Sequence, residues 1–343
     1  MIERRIERNR ADRPAALDDR VAGCLVGAAV GAALGAPYEG EWGRSIPSSR
    51  TLLERFIPCS VCDDHPLGQF TDETHLMLAG VEAVVVAGGV RPGLVAQAMA
   101  NVWTAGDLIS PNVASVRALA RFHRSGDWTT SGAPDGYADN GPAVRSAPLG
   151  LYFLEFPDFL PETVADLARI THRDARSVAG GVAVAAAAQL LATRPDVGPE
   201  AFADAVASSV ESFDAPFAEL LEQLPDLAEM PRRSAIRAMA SAGIFDRDFD
   251  QPIITSFVIP TVLASFWSVL RHGDDWGRAV AAVIRLGGNV DALGAIVGAL
   301  AGIKLGVQAI PPHLAFAVHG AGRIRRLSRD YAELLQRRQR KAA

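Results

Sequence analysis

The chain has 343 residues, 49% of them hydrophobic and 21% charged, with a formal net charge of −5. This hydrophobic share can fill the core of one large domain, which excludes a disordered chain, and three cysteines in such a length exclude a disulfide-based scaffold. Because the net charge is negative, the chain as a whole has no electrostatic footprint for nucleic acid, and we expect no nucleic-acid partner.

The chain divides into a charged N-terminal extension, residues 1–20, and a single domain, residues 21–343. The extension lacks the apolar core of a secretory signal, so we expect a cytoplasmic protein. Residues 253–270 carry no charge and approach the length of a membrane span, but they contain several hydroxyl side chains and Pro260. This composition favours a buried core helix, and we expect no membrane association.

Helical patterns follow one another along the chain, whereas alternating runs of β-branched residues bounded by tight turns are nearly absent. The predicted helices span residues 21–35, 74–87, 92–105, 114–123, 161–170, 177–192, 199–223, 231–242, 261–271, 276–286, 291–306 and 313–339. Several of them, such as 177–192 and 291–306, are small and apolar on most faces, which predicts close packing and burial. The sequence therefore predicts a compact all-α bundle with its functional residues at helix ends and in loops.

The first polar segment that could carry chemistry is residues 68–74, GQFTDET, just before an apolar helix. Thr71, Asp72 and Glu73 place a hydroxyl and two carboxylates in consecutive positions. These oxygens suit a hard cation such as Mg²⁺, Mn²⁺ or Ca²⁺. The same residue types also cap a helix and favour its positive end, and the segment alone leaves both interpretations open.

The second polar segment is residues 286–292, LGGNVDA, between two apolar helices. Asn289 and Asp291 follow two glycines there, and a buried carboxylate without a partner would be costly. We therefore expect Asp291 to have a partner, and capping of the following helix is the alternative.

Three further segments contribute single candidates. Glu39 follows the end of a small-residue helix, and Asn140 and Gly141 form a turn into a short helix, whose first amides can bind phosphate. His172 lies between a helix and an alanine-rich helix, where a capping or core histidine is the more common role. Taken singly, these segments are weak indicators.

Together, the order of the five segments resembles the ADP-ribosylglycohydrolase family, which includes the dinitrogenase reductase-activating glycohydrolase and the ADP-ribosyl-arginine and ADP-ribosyl-serine hydrolases. The family's motifs are G-x-x-x-G-D-A-L-G with a following Tyr-Glu, then T-D-D-T, N-G-x-x-M-R-x-x-P, T-H-x-D and G-G-D-T-D-T. They correspond here to residues 27–35 with 38–39, 71–74, 140–148, 171–174 and 287–292.

The resemblance implies an all-α fold and a metal-dependent hydrolase that cleaves the glycosidic bond of an ADP-ribosyl group on a protein or a small molecule. It implies one or two Mg²⁺ or Mn²⁺ ions. The residues at the positions of the family's metal ligands are Thr71, Asp72, Glu73, Asn289 and Asp291.

The same resemblance assigns the other site residues. Glu39 falls where some members have a mobile acid that guards the metals, and Glu39 or Asp72 would act as general base or acid. Asn140, Gly141 and His172 fall where the family grips ADP-ribose.

Four positions depart from the family pattern. Ala32 and Asn289 stand in place of aspartates, Glu73 replaces an aspartate with a longer arm, and Ala292 replaces a ligand threonine. We therefore expect the ion served by Thr71, Asp72 and Glu73 to be bound more firmly than the other, which is weakened or lost. The departures keep two alternatives open: a non-hydrolytic ADP-ribose-binding or structural relative, and an N-glycosidase acting on a small nucleotide or nucleoside.

Two remaining features have simpler interpretations. Cys59 and Cys62, with His65 close by, imitate half of a zinc site, but a second ligand pair is missing, so we predict no structural zinc. The basic segment 323–341 has apolar residues at helical spacing and is predicted to be a last helix with one packed and one solvated face.

Overall fold

The computed structural model of the chain describes residues 15–59, 66–243 and 252–342. Within these ranges the fold is built from helices, with isolated β-bridges and no strand, which confirms the all-α prediction. The helices are α1 (Leu17–Gly35), α2 (Ser49–Leu52), α3 (Asp72–Ala87), α4 (Pro92–Ala105), α5 (Val113–Ser125), α6 (Trp128–Ser131), α7 (Gly141–Tyr152), α8 (Leu160–Arg169), α9 (Ala175–Thr193), α10 (Pro199–Val210), α11 (Ala215–Leu221), α12 (Leu224–Glu229), α13 (Arg232–Ser241), α14 (Val258–His272), α15 (Trp276–Ile284), α16 (Val290–Leu305), α17 (Pro312–Ala317) and α18 (Ala321–Ala342). Three short 3₁₀ turns join them: Ala36–Tyr38, Pro157–Phe159 and Val307–Ala309.

The centre of the fold is the antiparallel pair α1 and α16, whose backbones touch. A Cβ atom added at Gly27 would lie 2.2 Å from the carbonyl oxygen of Gly298, closer than non-bonded atoms approach. The same relation recurs one turn away on either side, because glycines lie four residues apart on both helices and share one face. The further facing pairs are Gly23 with Gly302 and Gly31 with Gly294.

This close contact sets the position of the candidate site. A Cβ atom at Gly35, the last residue of α1, would lie 2.3 Å from the carbonyl oxygen of Val290, the first residue of α16. The C-terminal end of α1, which leads to Glu39, is therefore held directly against the start of α16, which carries Asp291.

Arg20 stabilises the other end of this helix pair, where α1 begins and α16 ends. This buried guanidinium donates hydrogen bonds to the carbonyl oxygens of Ile303 in α16, at 2.6 Å, and of Leu191 in α9, at 3.4 Å. A cation at helix C-termini is favourable because unpaired carbonyls concentrate negative charge there. Residues 17–20 of the predicted extension thus form the first turn of α1, whereas Cys62 and His65 lie outside the described residues.

Two predicted helices are broken, so those predictions were wrong as single elements. The segment 199–223 divides into α10 and α11 for two reasons. Asp214 caps the start of α11, because its carboxylate accepts the backbone N–H of Phe217 at 2.8 Å. Pro216 has no N–H group and cannot continue a preceding helix. The segment 313–339 divides into α17 and α18 next to Gly320, whose φ of +68° interrupts a right-handed helix.

The uncharged segment 253–270 becomes α14, whose residues from Val258 to Val269 are all buried, as expected of a core helix. Two other described helices are long and apolar enough to cross a membrane, α1 with its 3₁₀ extension and α9. Their apolar windows are 83% and 67% buried inside the protein, which is the environment of core helices.

Candidate active site

The starts of α3, α7 and α16 and the loop after α1 open onto one cleft of about 210 Å³. Its lining includes most of the residues singled out from the sequence: Glu39, Thr71, Asp72, Glu73, Asn140, Asn289 and Asp291. These residues come from four separate stretches of the chain, and the fold brings them together. Gly141 lies immediately behind, where an added Cβ atom would be 2.7 Å from Oε1 of Glu73.

Thr71 and Asp72 begin α3 but bond to other parts of the chain. Thr71 occupies the N-cap position without capping its own helix, and its hydroxyl donates to Oδ2 of Asp291 at 2.8 Å. Oδ2 of Asp72 accepts the backbone N–H of Asn112, also at 2.8 Å. The two acidic motifs are therefore joined directly by the Thr71 hydroxyl.

The start of α16 is held by backbone hydrogen bonds on both sides. Gly287 and Gly288 have φ values of +83° and +91°, conformations that favour glycine. Gly288 donates to the carbonyl of Glu41, and Asn289 donates to the carbonyl of Ile254. The paired glycines of the motif thus turn the chain so that Asn289 enters the cleft.

The side-chain amide of Asn289 makes three hydrogen bonds. Its Nδ2 donates to Oε1 of Glu39 at 2.7 Å and to Oδ1 of Asp291 at 3.0 Å. Its Oδ1 accepts from Nδ2 of Asn140 at 2.6 Å, and that same nitrogen donates to the Thr261 hydroxyl. Asn289 therefore links the loop after α1 to the starts of α7 and α16.

Three carboxylates of the cleft, those of Glu39, Asp72 and Asp291, are poorly solvated and have no basic partner. Burial raises the pKa of Glu39 to about 9, with the negative charge of Asp291 adding to the effect. Burial, followed by the charge of Glu73, raises the pKa of Asp72 well above its usual value. Oε2 of Glu39 is buried without a hydrogen-bond partner, and no ion pair in the described ranges involves Glu39, Asp72 or Asp291. A proton or a cation would stabilise this arrangement.

Glu73, by contrast, has its own positive partner. Its Oε2 accepts a hydrogen bond from Arg145, and its Oε1 accepts one from the Ser115 hydroxyl at 2.8 Å. The other end of the guanidinium donates to Oγ1 of Thr171 at 2.5 Å. Both oxygens of Glu73 are thus engaged inside the protein, although the side chain lines the cleft.

Sequence reasoning assigned no role to Arg145, Ser115 or Asn112. A signal existed for Arg145, since it stands at the arginine of the N-G-x-x-M-R-x-x-P pattern. Nothing in the local pattern marked Ser115 or Asn112, whose contacts to Glu73 and Asp72 bridge about 40 positions in the chain.

His172 lies outside the lining of the cleft and is fully buried. Burial, with the nearby charge of Arg145, lowers its pKa to about 3, so the ring is neutral at neutral pH. Its Nδ1 lies 3.0 Å from Oγ1 of Thr171, and its Nε2 lies 3.9 Å from Oδ2 of Asp139 without a hydrogen bond. The structure thus places His172 beneath the Asp139–Asn140 turn.

The side-chain oxygens of the cleft could bind a cation on one side of the cleft only. The Thr71 hydroxyl and the carboxylates of Asp72 and Asp291 are oxygen ligands of the kind that hard cations bind, and their charge is not balanced by the protein. The Asn289 side presents N–H donors instead. In the described ranges, no three His, Cys, Asp or Glu side chains form a ready-made metal cluster.

Comparison with known proteins agrees with the fold and with the family resemblance. A sequence model described as ADP-ribosylglycohydrolase matches residues 13–342. An uncharacterised protein of Archaeoglobus fulgidus is 27% identical over 293 residues, covering 84% of this chain and 88% of the relative. ADP-ribosylhydrolase ARH3 of Gallus gallus is 24% identical over 335 residues, covering 85% and 87%.

A solved structure described as an ADP-ribosylglycohydrolase-related protein complex superposes with a TM-score of 0.68 at 26% identity. The alignment covers 93% of this chain and 98% of that one. With the family model extending over nearly the whole sequence, the chain belongs to the ADP-ribosylglycohydrolase family.

Proposed function

We propose that the chain is a hydrolase, dependent on Mg²⁺ or Mn²⁺, that cleaves the glycosidic bond between an ADP-ribosyl group and its acceptor on a protein or a small molecule. The observation that carries this proposal is the convergence of Glu39, Asp72 and Asp291 on one cleft without a basic side chain to balance them. Desolvated carboxylates without a cationic partner are costly to a fold and are typical of functional sites.

The chemistry of the bond suits this cleft. Glycoside cleavage passes through a transition state with positive charge at the anomeric carbon, which nearby carboxylates stabilise. With no cation bound, burial raises the pKa of Glu39 to about 9, and we propose Glu39 or Asp72 as the general acid or base of the reaction. A bound Mg²⁺ or Mn²⁺ ion would supply Lewis-acid polarisation of sugar oxygens.

The start of α7 supports a phosphate-bearing substrate. Asn140 lines the cleft and Gly141 begins the helix behind it. The first N–H groups of a helix attract anions because they are unpaired and lie at the positive end of the helix dipole. We propose that this end receives the diphosphate of ADP-ribose.

The test is Mn²⁺-dependent release of ADP-ribose from ADP-ribosyl-arginine and ADP-ribosyl-serine peptides by the wild-type chain and by the variants Asp72→Asn and Asp291→Asn. We expect each variant to lose on the order of 10²-fold or more in rate, as for removal of a positioned acid or base. The matched control is Asp274→Asn, the same change at a side chain that is 95% exposed. Unchanged rates in both cleft variants would contradict the proposal.

A non-hydrolytic ADP-ribose-binding protein is the second candidate. It is favoured by the engagement of Glu73 with Arg145 and by Asn289, which supplies an amide where a carboxylate is expected. ADP-ribose binding measured by calorimetry, together with no turnover of any ADP-ribosylated peptide, would support this candidate.

The third candidate is an N-glycosidase acting on a small nucleotide or nucleoside. The departures at Asn289 and Ala292 from the family's metal ligands motivate this candidate. Turnover of free nucleotides, with none of modified peptides, would support it.

A further inference from the structure

One side-chain amide in the cleft bonds to two acids. Asn289 directs both hydrogens of its Nδ2 toward carboxylates, one on Glu39 and one on Asp291. The two carboxylates belong to the loop after α1 and to the start of α16, which lie against each other, and each raises the cost of ionising the other. An N–H₂ group between them offsets part of that repulsion, as a bound cation would.

The orientation of this amide is set by its other end. Oδ1 of Asn289 accepts from Asn140, whose nitrogen also donates to Thr261. A flipped amide would turn its N–H₂ group toward the N–H₂ group of Asn140, donor against donor, and its oxygen toward the carboxylate of Asp291. The donors of Asn289 therefore face Glu39 and Asp291.

A hard cation cannot take that position, because Mg²⁺ and Mn²⁺ bind oxygen ligands and the amide offers N–H groups. Ala292, directly after Asp291, lines the cleft and has no hydroxyl to contribute. The opposite side keeps an oxygen-only set in Thr71, Asp72 and Asp291.

We infer that Asn289 takes the place of one cation: its amide joins Glu39 to Asp291, and the cleft binds a single divalent ion on the side of Thr71 and Asp72. This inference rests on the cation dependence in the proposed function. It assigns Asn289 as a positioning residue for Glu39 rather than a metal ligand.

The test counts Mn²⁺ ions on the full chain after treatment with EDTA, by calorimetric titration and by electron paramagnetic resonance. We expect one ion per chain for the wild type. The variant Asn289→Asp removes the N–H donors and adds a third carboxylate beside Glu39 and Asp291, so we expect two ions and the spectral broadening of a coupled manganese pair. Zero or two ions in the wild type, or one ion in Asn289→Asp, would overturn the inference.

The matched control is Asn112→Asp, the same change in the same cleft. The Asn112 side chain accepts the N–H groups that start α5 and donates to Asp139, so it does not face Glu39 or Asp291. We expect it to bind one ion, and two ions would mean that added charge alone creates the second site.

A second variant makes the test independent of whether the Asn289→Asp variant folds. We expect Glu39→Gln to bind one ion as the wild type does, since Glu39 is held by the amide, and loss of the ion would overturn the inference. ADP-ribose release is measured separately. One bound ion without release contradicts the proposed function and leaves the inference intact.

Discussion

Arg145 donates a buried hydrogen bond to the carboxylate of Glu73, inside the motif that the sequence predicts to bind metal. The side chains of Arg145 and Glu73 are 6% and 9% exposed, so water solvates neither charge well. The pairing explains how a longer acid is accommodated at position 73: its extra methylene brings the carboxylate to a cation supplied by α7.

The first prediction follows from this pair. Replacing Arg145 by Met leaves Glu73 buried without its cation, and we expect the free energy of unfolding to fall by about 3–5 kcal/mol. The double variant with Glu73→Leu removes the stranded charge and should recover most of the loss. Urea denaturation monitored by circular dichroism measures both.

The control for this experiment is Arg50→Met. Arg50 lies 3.8 Å from Glu54 in an exposed pair, for which we expect a change below about 1 kcal/mol. Equal effects at Arg145 and Arg50 would show that the buried pair does not support the fold.

The second prediction concerns the contact between α1 and α16. In the variant Gly298→Ala the new Cβ atom would lie 2.1 Å from the carbonyl oxygen of Gly27, so the helices must separate. We expect a loss of about 1–3 kcal/mol or more in the free energy of unfolding, measured by urea denaturation. The separation would also move Glu39 away from Asp291.

Gly80→Ala is the matched control, a glycine in the interior of α3 with room for a methyl group. Its nearest neighbour would be Cγ1 of Val95 at 3.6 Å, an ordinary contact. We expect a gain of about 0.5–1 kcal/mol from the higher helix propensity of alanine. A stabilising Gly298→Ala would contradict the close-contact account.

The third prediction is the pH dependence of the metal-free protein. The pKa of Glu39 rises from 4.5 to about 9 on folding, so the folded state binds more protons than the unfolded state between these values. The resulting stability is fully present below pH 4.5 and is lost as the pH rises towards 9. Asp72, whose pKa is also raised, contributes in the same direction.

Glu39→Gln isolates the contribution of one residue. Its free energy of unfolding in EDTA, measured by denaturant titration from pH 5 to 9, should fall less steeply with pH than that of the wild type. Parallel slopes for the two proteins would show that Glu39 is not held in the desolvated position described above.

The fourth prediction is that His172 stays neutral across the physiological range. Its pKa falls from 6.5 to about 3 on folding, so the stability it contributes is present above pH 6.5 and is lost as the pH falls through 3. In proton NMR spectra, we expect the ring resonance assigned by comparison with His172→Gln not to shift between pH 5 and 8. A midpoint near 6.5 would contradict its burial beside Arg145.

The sequence by itself determined the class of fold and which polar segments stand at helix starts. Small apolar residues on most faces of 177–192 and 291–306 predict close-packed helices. Polar residues at helix starts indicate where functional residues lie. Thr71, Asp72, Asn289 and Asp291 do meet in one cleft. These features are visible in sequence because helical periodicity and helix-start residues act over a few neighbouring positions.

Tertiary structure alone decided which polar groups of the cleft bond to each other. The partner of Glu73 lies 72 positions away, and the amide of Asn289 reaches Glu39 across 250 positions. Whether an acid faces a cation, an amide or an empty cleft depends on the distance between helices, which the facing glycines of α1 and α16 set. Periodicity along one helix carries no information on that distance, because it arises from the packing of atoms that are remote in the chain.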